Sequence, residues 1–573
     1  MNTQERILNI LSSSSILTKE QFDHAKATSE ERHIPIAQVL TGENVVTEEV
    51  LYETLAQGMK LPFVDLTAQT IRRDVLALLP EQIIQVHHIV PFDMTDKEVK
   101  VATIDPDDLE IIDFTEKKTG LRPIIHLTTP GSIQHALQQL RKSSHSQLQN
   151  IGQVAEGTAS EADLKQLASD VPIIQLVNSI LEYAVFENAS DIHIEPTETE
   201  TIVRYRIDGV LRQAMKLPKK VQTGVVARVK ILSDLKIDEH RLPQDGRFKI
   251  KTDEYQVAFR VSILPVYDGE KVVLRLLNES AQVLTLEQLG LQPSALEVVK
   301  RNMSKPHGMI FVSGPTGSGK TTTLYTILNI LSTPKVNVST IEDPIEYRMP
   351  GVNQTQVNPK IGMTFAAGLR SLLRQDPNII MVGEIRDEET AEISAQAALT
   401  GHLVLSTIHT NDAVTVLPRL LEMQVPTFLI ASTTNLIIAQ RLVRKICSHC
   451  IESYTLSAKA ITQLEKQVKV DFLLDTLVKQ GAIVKGQKVE DLLFYRGRGC
   501  NQCNQEGYKG RMGIYEVMEM NDALAKVILE NGTANDLRHL VAAGGMLTML
   551  QDGFLKAKSG VTTIEEVLRV TKE

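Results

Sequence analysis

The chain has 573 residues, enough for about three to five domains, and 42% of them are apolar, as globular cores require. Its net charge of −9, from 61 Lys and Arg residues against 70 Asp and Glu residues, argues against a broad basic face that wraps nucleic acid. Trp is absent and aromatic residues make up 4%, which disfavours a protein that binds single strands by base stacking. We therefore do not expect nucleic acid as a partner.

Insertion into a membrane is not expected either. The sequence has no apolar run near the roughly 18 residues that a transmembrane helix needs. Its first residues, Met1 to Arg6, are polar or charged where a signal peptide has an apolar core. We expect a cytoplasmic protein without a transmembrane segment of its own, attached to a membrane only through partners.

Residues 1–140 form the first predicted domain, which is of α/β type. Ile7 and Leu11 fall at helical spacing, and the segments 88–92 and 99–103 are typical of strands. Residues 141–168 are polar and contain few large apolar side chains, so we expect them to form a flexible linker.

Residues 169–285 form the second predicted domain, also of α/β type. A helix is expected to begin at Val171, and alternating apolar and polar residues predict strands over 191–195, 202–207 and 255–261.

Residues 286–573 form the third predicted domain, in which strands alternate with helices. This order predicts a mainly parallel sheet that is covered on both faces. Residues 314–321 read Gly-Pro-Thr-Gly-Ser-Gly-Lys-Thr, a complete phosphate-binding loop. An apolar strand precedes the loop and a helical pattern follows it, which is the context that the motif needs.

The loop predicts a bound nucleotide, because its glycines let backbone N–H groups surround the phosphates at a helix N-terminus. Lys320 is expected to reach the β- and γ-phosphates, and Thr321 to hold Mg²⁺. The residues predicted to bind the nucleotide are Gly314, Pro315, Thr316, Gly317, Ser318, Gly319, Lys320, Thr321 and Thr322.

Two carboxylates follow predicted strands of this domain, at the end where α/β sheets bind ligands. Glu342 follows the strand 338–341 and is a candidate general base; a solvated acidic turn that begins at Asp343-Pro344 is the alternative. Glu384 follows the strand 379–383 in a pattern like Walker B, with glutamate in place of the usual aspartate. We expect Glu384 to face Mg²⁺ through water.

A third apolar strand, 403–408, ends at His409, which is a candidate sensor of the γ-phosphate. A structural histidine is the alternative reading of this position. His402 lies at the start of the same strand, away from the predicted site.

The four cysteines occur as two C-x-x-C pairs, Cys447 with Cys450 and Cys500 with Cys503. In a cytoplasmic chain such pairs are more typical of zinc than of disulfides. The gap between the pairs is longer than the 15–20 residues of compact zinc modules, but loop closure entropy grows only logarithmically with length. Four thiolates would form a closed tetrahedral structural site. Reduced, buried cysteines without metal are the alternative.

The ordered motifs resemble those of the secretion ATPase superfamily, which contains the motors of type II secretion and type IV pili. The motifs are the loop at 314–321, the segments 340–346 and 381–387, and the segment from Thr400-Gly401-His402 to His409-Thr410-Asn411-Asp412. They correspond to the Walker A, Asp box, Walker B and His box of that family. The resemblance extends to Gln440–Arg444 and to Gly510–Val517, and it covers about residues 170–573.

The resemblance implies a RecA-like P-loop NTPase domain, preceded by a PAS-like α/β domain and an N-terminal α/β docking domain. It implies that ATP, Mg²⁺ and structural Zn²⁺ are the cofactors, with a tetracysteine element at about 445–510. By analogy, Glu342 would be the catalytic glutamate and Glu384 the Walker B glutamate. Which of the two carboxylates activates water stays open.

The resemblance also implies a homo-hexamer in which arginines of the second domain reach the nucleotide. Arg247 and Arg260 lie in matching motifs and are the best candidates. Weaker candidates are Arg204, Arg206 and Arg212. Positive charge at the transferring phosphoryl group can be worth about 10³–10⁵ in rate. A surface position on a strand is the alternative for any one of them.

The first domain is similar to the N-terminal domain of pilus extension ATPases over residues 36–40 and 61–66. We expect it to dock onto an inner-membrane platform protein. The Arg-Leu-Gly motifs through which some relatives bind cyclic di-GMP are not evident, so that ligand is not predicted.

The expected function is ATP hydrolysis by a cytoplasmic hexamer that powers pilin assembly and extension of a type IV pilus. Type II protein secretion is the alternative, and a motor for DNA uptake or nucleic-acid translocation is a weaker one. A scaffold that binds nucleotide without hydrolysis is disfavoured by the presence of Lys320, Thr321, Glu342 and Glu384.

Overall fold

The computed structural model describes residues 3–14, 16–32, 35–43, 45–149, 161–251, 256–278 and 284–572. The chain forms two compact units: residues 1–280 with 498–506, and residues 281–497 with 507–573. No helix within the described ranges combines the length and the hydropathy that crossing a membrane requires.

The first unit contains eleven of the described helices and nine of the described strands. In chain order they are α1 (Thr3–Ser13), α2 (Lys19–Arg32), α3 (Ile36–Gly42), α4 (Glu48–Met59), α5 (Arg73–Leu76), α6 (Glu81–His87), β1 (Ile89–Met94), β2 (Glu98–Thr103), α7 (Leu109–Thr119), β3 (Arg122–Leu127), α8 (Pro130–Gln149), α9 (Glu161–Ser169), α10 (Val171–Phe186), β4 (Asp191–Pro196), β5 (Glu200–Ile207), β6 (Val210–Pro218), α11 (Gln222–Leu232), β7 (Gln244–Lys251), β8 (Gln256–Val266) and β9 (Gly269–Asn278).

The first two predicted domains share one hydrophobic core. Ile83, Ile89 and Leu137 of the first predicted domain belong to the same buried cluster as Ile173 and Phe259 of the second. The strands of the first domain form a sheet of order β1-β2-β3, and those of the second form a six-stranded sheet of order β6-β5-β4-β9-β8-β7. Composition alone marks a polar segment between the domains but cannot indicate that their apolar faces pack together.

The predicted linker at 141–168 overlaps the end of α8 and most of α9. Residues 150–160 lie outside the described residues, so the flexible linker stays a prediction. Tyr255, the first residue of the strand predicted over 255–261, also lies outside the described residues. β8 contains the rest of that predicted strand, from Gln256 onward. Helix α10 begins at Val171, as expected from the sequence.

The second unit contains the remaining described elements. They are α12 (Pro293–Met303), β10 (Gly308–Ser313), α13 (Lys320–Leu331), β11 (Val338–Glu342), β12 (Val352–Gln356), α14 (Phe365–Leu372), β13 (Ile379–Val382), α15 (Glu388–Leu399), β14 (Leu403–Ile408), α16 (Val416–Glu422), α17 (Thr427–Thr433), β15 (Thr434–Ile446), β16 (Ile451–Thr455), α18 (Ala458–Glu465), α19 (Val470–Lys479), β17 (Leu493–Gly497), β18 (Tyr508–Glu519), α20 (Asp522–Leu529), α21 (Ala534–Ala543), α22 (Met549–Lys558) and α23 (Ile564–Thr571).

A seven-stranded sheet of order β12-β11-β13-β14-β10-β15-β18 organises the second unit. The first six strands of this order are parallel to their neighbours, and β18 is antiparallel to β15. Every residue of β10 and β14 is buried, because helices cover both faces and the strand sequences are apolar runs rather than alternating ones. The predicted fold class, an α/β chain whose last domain has a mainly parallel sheet and is preceded by two further α/β regions, is confirmed.

Candidate active site

The loop at 314–319 connects β10 to α13, so that it lies at the carboxyl end of the parallel sheet. Gly314 has φ 144° and Gly319, which precedes the first turn of α13, has φ 89°. These backbone conformations favour glycine. A Cβ atom on Gly314 would also lie 2.4 Å from the carbonyl oxygen of Gln440. The loop therefore requires glycine at these positions, as its motif predicts.

Lys320 turns back over the loop. Its Nζ donates hydrogen bonds to the carbonyl oxygens of Gly314 at 2.8 Å and Pro315 at 3.1 Å. Burial lowers the pKa of Lys320 to about 8, although the negative charge of Glu384 opposes this shift. Among the described residues, the hydrogen bonds of the ammonium group thus go to carbonyl oxygens of the loop, and an anion beside it would stabilise its charged form.

Gln440 of β15 connects the loop to α13. Its Nε2 donates to the carbonyl oxygen of Ser318 at 2.7 Å, and its Oε1 accepts from Thr323 Oγ1 at 2.7 Å. The sequence indicated Gln440 only as part of a matching segment and gave it no role. Its signal is a polar residue directly after the apolar segment 436–439 of one strand, and this signal becomes meaningful once β15 is known to lie beside β10.

Glu342, at the end of β11, is 3% exposed and accepts hydrogen bonds from three uncharged groups. The hydroxyl of Tyr325 on α13 donates to Oε2. Thr340 Oγ1 donates to Oε1 at 2.6 Å, and Gln354 Nε2 donates to the same atom at 3.2 Å. Burial raises the pKa of Glu342, and the three donors act in the opposite direction. The sequence did not indicate Tyr325 or Gln354 as neighbours of this carboxylate.

Glu384, one residue beyond Gly383 at the end of β13, faces cationic and imidazole groups instead. Arg386 lies 2.5 Å from Oε1, and His409 Nε2 lies 3.5 Å from Oε2. Burial, followed by the positive charge of Lys320, lowers the pKa of His409, which favours its neutral imidazole form. A neutral imidazole can donate one hydrogen bond and accept another.

The sheet order explains why these groups meet. β14 lies between β13 and β10, so His409, which follows β14, is flanked by Glu384 on one side and the phosphate-binding loop on the other. The structure thus brings together Lys320, Glu384 and His409. Glu342 lies one strand further along, and His402 lies at the opposite end of β14, where its Nδ1 is 2.9 Å from the carbonyl oxygen of Ala397.

The candidate arginines lie on the six-stranded sheet of the first unit. Arg247 on β7 and Arg260 on β8 are exposed and directly opposite each other, and Arg275 on β9, which the sequence did not indicate, lies opposite Arg260. Within the described ranges, no carboxylate lies at ion-pair distance from Arg247 or Arg260.

The other three arginines have acidic partners. Arg204 pairs with Glu195 at 2.7 Å, Arg206 with Asp191 at 3.4 Å, and Arg212 with Glu506 at 3.8 Å. Arg275 also pairs with Asp191, at 3.0 Å. Side chains held in this way are less available to a ligand. This agrees with the sequence analysis, in which Arg204, Arg206 and Arg212 are the weaker candidates for reaching the nucleotide.

The four cysteines converge. The Sγ atoms of Cys447, Cys450, Cys500 and Cys503 all lie within 4.8 Å of one another, and all four are free of disulfides. The Sγ atoms of Cys500 and Cys503 are 3.6 Å apart. In a tetrahedral zinc site, Zn–S bonds of about 2.3 Å place the sulfurs roughly 3.8 Å apart. The donor set therefore fits zinc.

Comparisons with known proteins agree with this geometry. Residues 166–569 match the family described as Type II/IV secretion system protein, and residues 59–147 match the MshEN domain. The type IV pilus assembly ATPase PilB of Myxococcus xanthus is 38% identical over 98% of this chain and 98% of its own length. The type II secretion system protein E of Xanthomonas campestris pv. campestris is 38% identical over 100% of this chain and 99% of its own.

Among solved structures, the ATPase DotB of Legionella pneumophila covers 69% of this chain with 95% of its own. Its sequence identity is 22% and its TM-score is 0.49.

Proposed function

Because the chain belongs to the type II/IV secretion system protein family and is an ATP-hydrolysing enzyme, we propose that it is the motor for assembly of a type IV pilus. One observation carries this proposal: the similarity to a pilus assembly ATPase spans 98% of both chains, so it includes the N-terminal domains as well as the ATPase domain. In this proposal the protein is a cytoplasmic homo-hexamer that docks onto an inner-membrane platform protein through its N-terminal domain.

The phosphate-binding loop fits ATP and Mg²⁺. The hydroxyl of Ser318 is buried without a hydrogen-bond partner among the described residues, and Lys320 has only carbonyl partners within the loop. Both observations suit a loop that is completed by an anion. Lys320 would hold the β- and γ-phosphates, and Thr321 and Glu384 would hold the metal ion. When bound, Mg²⁺ neutralises the charge that develops on the phosphate oxygens.

We assign Glu342 as the general base and Glu384 to the metal. The best general base has a pKa near the working pH, and burial moves the pKa of Glu342 upward from its ordinary value. Glu384 is at hydrogen-bond distance from Arg386 and near Lys320 of the phosphate-binding loop, so its carboxylate lies where a metal ion beside the phosphates would be held. His409, beside Glu384, would donate a hydrogen bond to the γ-phosphate.

Arg247 and Arg260 are the proposed arginines that stabilise the transition state. Their support is that both are exposed, adjacent and not paired with a carboxylate of the described residues. Replacement of Arg247 by Ala should leave nucleotide binding largely intact and reduce turnover sharply. Wild-type turnover in that variant would remove Arg247 from the proposal.

We also propose that the four cysteines hold a structural zinc ion. The test is metal analysis of protein never exposed to chelator, and we expect about one zinc per chain. Less than about half an equivalent would count against the site.

Type II protein secretion is the second candidate, because the secretion protein of Xanthomonas campestris pv. campestris is as similar as the pilus ATPase and is aligned over its full length. The two candidates differ in the cargo that the motor assembles, not in the chemistry of the site.

A gene deletion separates these candidates. We expect the deletion strain to lose surface pili while its secreted enzymes stay at normal levels. Complementation with the wild-type gene should restore the pili, and complementation with a Lys320→Ala gene should not. Loss of secreted enzymes with normal pili would favour type II secretion instead. Strong stimulation of the purified ATPase by DNA would favour a translocase.

A further inference from the structure

Strand β18 carries a buried carboxylate that the proposed hydrolysis does not use. Glu516 lies within the segment Gly510–Val517, which matched a family motif without a known chemical task, and it is 7% exposed. Its Oε2 accepts a hydrogen bond from the backbone N–H of Ala413 at 3.0 Å, and its Oε1 accepts one from the backbone N–H of Met549 at 3.1 Å. Both carboxylate oxygens therefore bind backbone groups of distant segments.

The first of these segments bears the candidate γ-phosphate sensor. Ala413 ends the segment 409–413, here named the His409 loop, which follows β14 directly. A second contact holds the same loop: Arg538 of α21 donates a hydrogen bond to Asp412 Oδ2 at 3.0 Å. The backbone at the end of the His409 loop is thus held from two C-terminal elements.

The second segment is the start of α22, which is itself firmly attached to β18. Asp552 Oδ2 accepts from the backbone N–H of Tyr515 at 2.8 Å, and Lys556 Nζ donates to the carbonyl oxygen of Gly513 at 2.7 Å. Because β18 and α22 are joined in this way, Glu516 fixes the His409 loop to a rigid pair of elements rather than to another loop.

A buried carboxylate is costly unless its oxygens are satisfied. Among the residues that the structure describes, no Lys or Arg lies at ion-pair distance from Glu516, so the two N–H donors are its main compensation. An apolar residue would fill this place in the strand without that cost, but it could not hold the loop.

We propose that Glu516 and Arg538 are positioning residues that hold the His409 loop, and with it the imidazole, in place for ATP hydrolysis. The proposal rests on the proposed role of His409. Neither residue contacts the nucleotide in this scheme, and both act through the loop. The C-terminal helices α21 and α22 would thereby influence the rate of hydrolysis without contributing a catalytic group.

Glu516→Gln is the central test. The amide keeps one acceptor oxygen but replaces the other with an NH₂ donor, so one of the two N–H groups loses its acceptor. We expect kcat to fall roughly 10- to 100-fold, as for a catalytic group displaced by about 1 Å. KM for ATP should change by less than about twofold, since the loss concerns the transition state. Unchanged kcat, or an effect on KM alone, would overturn the proposal.

Glu519→Gln is the matched control, because it makes the same change on the same strand. Glu519 pairs with Arg301 and accepts from Asn302, outside the His409 loop. We expect its kcat to stay within about twofold of wild type, as for an interaction that is not made in the transition state. An equal loss of kcat in both variants would show a general effect of weakening β18 and would overturn the proposal.

A double-mutant cycle with His409→Ala separates positioning from stability. If Glu516 acts through His409, Glu516→Gln should cause no further loss of kcat in the His409→Ala background. Additive losses would overturn the proposal. Wild-type kcat in His409→Ala alone would remove the role of His409 and this proposal with it, while leaving the ATPase activity and the pilus function untouched.

Arg538→Ala gives a second route if Glu516→Gln does not fold, since the Arg538 side chain is 49% exposed. We expect a smaller fall in kcat, about three- to tenfold, again absent in the His409→Ala background. Wild-type kcat in Arg538→Ala would remove α21 from the proposal, and if Glu516→Gln also fails to fold, it would overturn the proposal as a whole.

Discussion

The ends of β11 and β13 carry the same type of residue in opposite surroundings. Glu342 at the end of β11 is 3% exposed, and its hydrogen-bond donors among the described residues are all uncharged. The Glu384 side chain at the end of β13 is 12% exposed and lies 2.5 Å from Arg386 and 3.5 Å from His409. The two strands are direct neighbours in the sheet, so this difference arises within a few ångströms.

Surroundings, rather than residue type, separate the two carboxylates into two roles. Burial raises the pKa of Glu342, and a carboxylate with a raised pKa is a stronger base at neutral pH. Glu384 instead faces Arg386 and His409 beside the phosphate-binding loop, and carboxylate oxygens there suit a divalent cation. Pairs of acidic groups with different environments often divide acid–base work in this way.

The largest expected effect tests the base. In Glu342→Gln the shape and most hydrogen bonds persist but the proton acceptor is lost, so we expect kcat to fall about 10²- to 10⁴-fold. Affinity for ATP should change little. Steady-state hydrolysis and titration with a fluorescent nucleotide measure the two quantities. Near-normal kcat would mean that the two carboxylates have exchanged roles.

The second prediction tests whether Glu384, at the end of β13, holds Mg²⁺. In Glu384→Gln we expect the Mg²⁺ concentration for half-maximal activity to rise about 10- to 100-fold, the range found when groups that orient metal ligands are removed. The same titration on Glu342→Gln serves as the control and should give the wild-type Mg²⁺ dependence. A large loss of activity that persists at saturating Mg²⁺ would contradict the assignment.

A smaller effect concerns pH. The Tyr325 hydroxyl stabilises the charged form of Glu342, so its removal in Tyr325→Phe should raise the pKa of Glu342 further. The base must be deprotonated to act, so the acidic limb of kcat should move to higher pH, by roughly one unit. The pH profile of hydrolysis measures this shift. Tyr347→Phe is the control, because its ring packs edge-on against Tyr325 and, among the described residues, its hydroxyl does not donate a hydrogen bond to Glu342.

The smallest effect concerns stability at the same strand end. Thr340→Val removes one donor to Glu342 Oε1, but Gln354 still donates to that atom. We expect the free energy of unfolding to fall by about 1 kcal/mol and the acidic limb to shift less than in Tyr325→Phe. Denaturant unfolding gives the first quantity. A larger shift of the acidic limb than in Tyr325→Phe would mean that Thr340 on β11, rather than Tyr325 on α13, has the main effect on the pKa of Glu342.

Local patterns predicted much of the site because its key groups are close to strand ends in sequence. The phosphate-binding loop and His409 directly follow β10 and β14, Glu342 is the last residue of β11, and Glu384 lies two residues beyond β13. Thr340 and Glu342 are two residues apart on one strand, so their shared face also follows from the sequence. The two C-x-x-C pairs contain all four cysteines of the chain, so the sequence also predicts that they form one site.

Only the tertiary structure decided the surroundings of each group. Gln354 reaches Glu342 because β12 pairs with β11 in a register that sets Gln354 opposite Thr340, and Tyr325 reaches it from a helix. Ala413 and Glu516 are 103 residues apart and meet through the antiparallel placement of β18 beside β15. Strand order and register depend on how whole elements pack, which a local pattern does not encode.

The chemistry that the protein can perform thus follows from the amino-acid sequence, because nucleotide binding needs particular residues at short spacing. The type of each domain follows for the same reason, since hydrophobic periodicity is local. The three-dimensional packing sets which carboxylate is buried, which arginines have acidic partners among the described residues, and the core that the first two predicted domains share. Those properties depend on distances between residues far apart in the chain, and burial and neighbouring charge are set by such distances.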